Sequence, residues 1–179
     1  GEFLALAEHA QSGLPVTIVR CFNTCGPRQR PTYGMVVPRL LDQALGGEPL
    51  SVYGDGRQTR DFTFVDDVVD GVIRLAECPA AVGEVVNLGT DRETAILELA
   101  EEVLAVTGSA SRIHLVPYGE IYGVRFEDVR RRVPDLSKLR GLIGPLGFTG
   151  LKDLLQITLE HRRNGHSLQA GSRSTHPAA

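Results

Sequence analysis

The chain has 179 residues, 42% hydrophobic and 23% charged, enough to bury the core of one ordinary globular domain. Its 19 Lys and Arg against 22 Asp and Glu leave a net charge of -3, which excludes a global electrostatic fit to nucleic acid or an anionic membrane; an anion site must be a local arginine cluster. With no uninterrupted run of about 18 apolar residues and no basic-then-apolar start, a soluble, cytoplasmic protein is expected.

The chain opens inside a helical pattern. Phe3, Leu6, Ala7 and Ala10 recur at helical spacing from the first residues with no capping residue ahead of them, so the helix is expected to begin upstream and the chain to be a fragment. Ser12-Gly13 ends that helix, and Pro15 to Arg20 is a β-branched run suited to a buried parallel strand. Cys21 to Gly34 reads as a loop rich in Gly, Pro, Asn and Arg. A helix follows with Val36, Val37, Leu40, Leu41, Ala44 and Leu45 on one face, stopped by Gly46-Gly47. Leu50 to Tyr53 is a strand, Gly54-Asp55-Gly56 a turn, and Phe62 to Val65 a second short strand.

Asp66 or Asp67 is placed to cap the next helix, whose expected buried stripe is Val68, Val69, Val72, Ile73 and Ala76. Glu84 to Leu88 is a strand; Thr94 stands as the N-cap of a helix burying Ile96, Leu99, Ala100, Val103 and Leu104, with Gly108 as its stop. Ile113 to Val116 is a strand, Asp135 heads a short helix, and Thr149 caps a last one carrying Leu151, Leu154, Leu155, Thr158 and Leu159. From Asn164 the composition is Gly, Ser, His, Ala and Pro with few apolar residues, which reads as a disordered tail. Strands alternating with helices make the class α/β, with one strand belonging to a larger sheet. A core completed by strands outside the sequence would expose an apolar patch and favour self-association.

Three segments carry candidate chemistry. Arg20-Cys21-Phe22-Asn23-Thr24-Cys25-Gly26-Pro27-Arg28 directly follows a buried strand, where open α/β sheets gather their ligands; on residues alone it reads equally well as a polar loop with an Asn-stabilised turn. Gly54 to Val68 contains Gln58-Thr59-Arg60-Asp61-Phe62. A guanidinium there can bridge phosphate oxygens with two parallel hydrogen bonds, or pair with Asp61 or Asp66 at the surface. Arg125-Phe126-Glu127-Asp128 precedes Arg130-Arg131-Arg132 and Pro134-Asp135-Leu136-Ser137-Lys138, and a charge run of this kind is commonly a solvated face. Cys21 and Cys25 lack a second ligand pair for a metal, and with Cys78 they read as reduced thiols. His9, His114 and His161 have no partnered acid or nucleophile in the sequence.

Taken together, in order and spacing, the three segments resemble the C-terminal portion of the extended short-chain dehydrogenase/reductase family, the nucleotide-sugar epimerases and dehydratases. The likeness covers roughly residues 1 to 163. It implies the C-terminal portion of an extended Rossmann-type fold with a small mixed α/β substrate-binding domain. Residues 1–33 would end the Rossmann-type domain, 34–163 would form mainly the nucleotide-sugar-binding domain with some segments returning to the Rossmann part, and 164–179 the tail.

By the same resemblance to UDP-glucose 4-epimerases and UDP-glucuronate decarboxylases, Asn23, Arg60 and Arg125 would hold the nucleotide diphosphate and Asp128 the ribose hydroxyls. Val36, Ser51 and Tyr53 would line the uracil slot, with Tyr53 stacked on the base. Cys21, Phe22 and Arg28 would face the cofactor, NAD, though Arg28 could face the substrate instead.

The family's Tyr-x-x-x-Lys pair does not occur in the 179 residues, and its glycine-rich turn, which lies near the family's N-terminus, is not met ahead of the Asn23 segment; the Gly-x-x-Gly-x-x-Gly spacing appears only at Gly141, Gly144, Gly147 and Gly150, after all three segments. Gly54-x-Gly56 precedes a strand, not a helix, and neither Tyr118 nor Tyr122 has a lysine four residues on. The resemblance therefore implies that the chain starts a few residues after the catalytic lysine and that NAD is bound mainly by an N-terminal half. The implied activity is transient oxidation of the sugar at C4 with hydride passing to NAD, foremost as a UDP-glucose 4-epimerase, with a decarboxylase or 4,6-dehydratase next. A non-catalytic nucleotide-sugar binding module, or an inactive truncated product, is the competing class. The implied partner is a UDP-sugar, and the complete protein is expected to form a homodimer.

Overall fold

The computed structural model describes residues 1–32, 35–123 and 128–171. The chain groups into two compact units that interleave in sequence. The first holds Gly1–Thr24, Arg57–Ala95 and Asp128–Thr149; the second holds Cys25–Gly56, Ile96–Glu127 and Gly150–Ala179. Both are α/β.

The first unit is built on a parallel pair, β1 (Ile18–Cys21) and β6 (Val85–Leu88), in the register Ile18 to Val85 and Cys21 to Leu88. Between them in sequence come β2 (Thr24–Cys25), across which the chain passes to the second unit, then α2 (Val36–Gly46), β3 (Leu50–Tyr53), β4 (Thr59–Arg60), β5 (Thr63–Phe64), α3 (Val65–Ala76) and a 3-10 turn at Pro79–Ala81. A parallel pair requires such a crossover. The unit's core joins Val68 and Leu75 of α3, Ala81, Val86 and Leu88, and Leu136 and Leu139 around α6 (Ser137–Ile143). Gly71 lets α3 approach closely, because a Cβ there would lie 2.7 Å from Leu88 Cδ1. A three-stranded ladder sets β4 between the antiparallel β7 (Thr94–Ala95) and the parallel β9 (Arg131–Arg132). Helix α1 (Glu2–Ser12) buries none of its residues, and Phe3 and Leu4 are 92% and 75% exposed.

The second unit packs α2, α4 (Ile96–Thr107) and α7 (Leu151–Gly171) around the parallel pair of β3 with β8 (Ile113–Val116). Val37, Leu40, Leu41, Leu50, Val52, Leu99, Val103, Leu154 and Leu155 are buried in it. The short α5 (Tyr118–Tyr122) follows β8, and Gly54 is required where the Tyr118 ring crosses the turn after β3: a Cβ would lie 2.4 Å from Tyr118 Cε2, at a φ of 73°. The Arg162 guanidinium of α7 bonds Asp42 and, at 2.9 Å, the Gln29 carbonyl.

The structure departs from the sequence reading at five points. The buried face of α3 is Val68, Gly71 and Leu75, while Val69, Val72 and Ile73 are 50%, 40% and 51% exposed; apolar residues fill both stripes of this helix, so periodicity alone could not choose between them. Phe64 takes the N-cap position of α3 with no side-chain cap bond. The Asp67 carboxylate instead accepts the Thr149 N–H at 2.7 Å and the Thr149 hydroxyl at 3.0 Å, so Thr149 is a donor to α3 and not a cap of α7. Thr94, expected as an N-cap, is buried in β7 opposite Arg60. Helical backbone continues to Gly171, past the point where the sequence reads as tail; continuing a formed helix costs little compared with nucleating one.

Candidate active site

In the first unit, β1 delivers Cys21, exposed at its carboxyl end, and the chain then turns through Phe22 and Asn23. The Phe22 N–H continues the ladder by donating to the Leu88 carbonyl at 2.9 Å. Asn23 adopts φ 24°, a left-handed conformation that asparagine tolerates better than most residues. Its Nδ2–H donates at 2.6 Å to Asp61 Oδ1. Asp61 has no exposed surface, and its Oδ2 accepts the Thr63 hydroxyl at 3.2 Å. Burial pushes the Asp61 carboxyl above the ordinary range, against the opposing pull of Asn23, Thr63, its backbone bond and the Arg132 charge.

Arg60 lies one residue earlier, on β4. Its Nη2 pairs with Asp128 Oδ1 at 2.7 Å, and its Nη1 donates to the Val129 and Thr59 carbonyls, each at 2.7 Å. The ion pair is mostly sheltered, with the side chains 15% and 24% exposed. Parallel register sets Arg132 beside Arg60, and the Arg132 guanidinium lies 5.9 Å from the Phe22 ring centroid. The predicted Arg60 and Asp128 are thus brought together, whereas Arg125 lies outside the described residues.

In the second unit, Val36 opens α2, and Ser51 and Tyr53 project from the same side of β3 by strand alternation. Ser51 is held on several sides. Its Oγ accepts from Arg39 Nη1 at 2.5 Å and Gln43 Nε2 at 2.9 Å; its N–H donates to Gln43 Oε1 at 3.0 Å; and its carbonyl accepts from Arg39 Nη1 at 2.8 Å. The Arg39 guanidinium also covers the Tyr53 ring at 4.1 Å from the centroid, a cation–π contact. Arg28, exposed and at φ 67°, belongs to this unit as well.

Sequence reasoning missed Asp61, Arg39 and Gln43 as organising residues. Arg39 and Gln43 stand four apart on a helix whose only other polar side chain is Asp42, the spacing of helical neighbours, and that was the available signal. Asp61 sits inside a quoted motif, but nothing in a linear sequence says that its carboxylate is fully enclosed.

The sequence model described as "NAD dependent epimerase/dehydratase family" matches residues 1–89. UDP-N-acetyl-alpha-D-glucosaminuronate decarboxylase of Bacillus cytotoxicus is 44% identical over 133 residues, which are 74% of this chain and 41% of that protein. The chain belongs to the NAD-dependent epimerase/dehydratase family. Among solved structures it is similar to UDP-glucuronic acid 4-epimerase from Bacillus cereus in complex with UDP-glucuronic acid and NAD, at 30% identity and a TM-score of 0.79, covering 91% of this chain and 50% of that one. It is also similar to UDP-glucose 4-epimerase from Thermotoga maritima with UDP-glucose, at 31% identity and a TM-score of 0.81, covering 92% and 51%. The chain spans about half or less of the length of these family members. Among the described residues no helix is long and apolar enough to cross a membrane.

Proposed function

We propose that this chain binds the nucleotide of a UDP-sugar for an NAD-dependent enzyme that works at C4 of the sugar. The observation that carries the reading is the Arg60–Asp128 pair: a guanidinium and a carboxylate, 68 positions apart in sequence, meet at 2.7 Å in a family whose solved members include complexes with UDP-sugars. Arg60 spends three of the five guanidinium donors on Asp128, Val129 and Thr59. The other two, on Nε and Nη2, suit phosphate oxygens. Asp128, acceptor-only when ionised, suits the ribose hydroxyls, and Asn23 contributes its amide to the diphosphate. Arg125 is assigned to the same phosphates because one guanidinium would leave part of a diphosphate's charge unmatched.

In the second unit Val36, Ser51 and Tyr53 are assigned to the uracil. The Arg39 guanidinium lies over the Tyr53 ring and helps fix its orientation. Binding energy gathered at this non-reacting end would position the sugar for chemistry. NAD, when bound, takes up and returns a hydride. Cys21 and Phe22, at the carboxyl end of a parallel strand where α/β sheets bind ligands, are assigned to face it, and Arg28 to face either ligand. Since Tyr-x-x-x-Lys does not occur in the 179 residues, and the Gly-x-x-Gly-x-x-Gly spacing occurs only from Gly141 to Gly150, where α6 ends, the chain alone is expected to turn over no UDP-sugar. A homodimer is proposed for the complete protein.

For the reaction, the motif pattern favours a UDP-glucose 4-epimerase, while the 44% identity to a UDP-sugar acid decarboxylase favours decarboxylation as a second reading. Calorimetric titration of the chain with UDP, UDP-glucose and UDP-glucuronic acid tests both. UDP should bind; tighter binding of the glucuronic acid form would support the decarboxylase. Absence of UDP binding at millimolar concentration would overturn the nucleotide reading.

A further inference from the structure

The first unit encloses one carboxylate to which the motif reading gives no task. Asp61 Oδ1 accepts the Asn23 Nδ2–H at 2.6 Å, and Oδ2 accepts the Thr63 hydroxyl at 3.2 Å. The Thr63 oxygen is itself fixed by the buried Thr90 N–H at 2.9 Å. The Thr63 N–H donates to the Asn23 carbonyl at 3.3 Å, so the Asp61–Thr63 segment grips Asn23 through both backbone and side chain. Gly89 makes the room: a Cβ there would stand 2.8 Å from Asp61 Oδ2 and 2.9 Å from Phe22 Cβ.

The two ends of an asparagine amide are nearly equal in size but opposite in hydrogen-bonding sense. An ionised carboxylate only accepts, so it selects the NH2 end of Asn23 and holds it. The second Nδ2 hydrogen and Oδ1 are then fixed too, because the amide is planar. A donor held in this way loses little side-chain freedom when an anion arrives.

We propose that Asp61 is a positioning residue for nucleotide-sugar binding: its buried carboxylate orients the Asn23 amide so that the remaining Nδ2–H is presented to the diphosphate. The inference rests on the functional reading given above. A purely structural Asp61 would support the β4–β5 turn and have no energetic coupling to Asn23 in ligand binding.

The test is a double-mutant cycle on the 179-residue chain, with UDP as the probe and each variant assayed at a temperature where circular dichroism shows it folded. Asn23→Ala should weaken UDP binding about ten-fold or more, as expected for a hydrogen bond to a charged group. Asp61→Asn keeps the size but no longer selects one end of the Asn23 amide, and it should also weaken binding. In the Asn23→Ala background, Asp61→Asn should add nothing. Multiplying losses, or an unchanged affinity in Asp61→Asn, would overturn the inference and leave the functional reading standing. No UDP binding by the unmodified chain, or no loss in Asn23→Ala, would overturn the functional reading and this inference with it.

Hydrogen exchange of the two Asn23 Nδ2 protons in the unmodified chain gives a test that does not depend on a variant folding. One proton should be protected without ligand and the other should gain protection with UDP. Absence of protection in the free chain, or no gain with UDP, would contradict the proposal.

Discussion

Replacing Arg60 by alanine separates what this side chain does for the fold from what it does for a ligand. In the folded chain it neutralises Asp128 and satisfies the Val129 and Thr59 carbonyls, all at 2.7 Å. The Asp128 side chain is 24% exposed, so water can reach it once Arg60 is gone. The folding cost should therefore fall at about 1–3 kcal/mol, the range for a partly satisfied polar group, and below the ~3–5 kcal/mol of a fully buried broken pair. The binding cost is a charge-assisted hydrogen bond, about 1.5–3 kcal/mol, or roughly 10- to 150-fold in affinity. Titration calorimetry with UDP and with uridine distinguishes the roles. A phosphate contact weakens UDP and spares uridine. Equal losses for both would show that Arg60 acts only by holding Asp128 against the ribose, and unchanged UDP affinity in the folded variant would refute any part in binding.

Three further outcomes follow from packing and charge. Leu99→Ala, at a fully buried position of α4, should cost about 2–5 kcal/mol in urea unfolding, and a loss below 1 kcal/mol would mean that this core is not packed as described. Gly54→Ala puts a Cβ 2.4 Å from the Tyr118 ring at a φ of 73° and should destabilise by about 1–3 kcal/mol through overpacking, checked by the shift in Tm. Because burial raises the Asp61 carboxyl, the folded chain binds a proton there at a pH where the unfolded chain has lost it. As pH rises from the ordinary carboxylate value through the raised one, the unmodified chain should thus lose stability relative to Asp61→Asn. A Tm difference independent of pH across that window would contradict this.

Much of the second unit was legible in the sequence because its signals agree with one another. Leu50 to Tyr53 and Ile113 to Val116 are strands at the expected bounds, and of the six residues expected on one face of α2, Val37, Leu40, Leu41 and Ala44 are buried, while Val36 is half-buried and Leu45 exposed. Gly47, stopping α2 at φ 69°, is a turn chemistry that a glycine announces. The first unit was less legible. Two-residue strands such as β4, β7 and β9 are too short to carry a period, and their pairing is decided by partners far away in sequence. Val69, Val72 and Ile73 look as apolar as Val68 and Leu75, so only the packed neighbours decide which stripe of α3 is covered. At the site, motif order pointed to Asn23, Arg60 and Asp128. It did not give the Asp61 carboxylate beneath Asn23, or the Arg39 and Gln43 side chains that fix Ser51 and Tyr53, because such contacts exist only once the chain has folded.

The central claim, that this chain holds a nucleotide through the residues named here, is tested most directly by titrating the isotopically labelled chain with UDP and following its backbone amide resonances. The account predicts saturable shifts at Asn23, Arg60 and Asp128 and at Ser51 and Tyr53, with the exposed α1 amides, from Glu2 to Ser12, unmoved. Saturation with UDP that leaves those five amides in place, or that shifts only residues elsewhere, would contradict it.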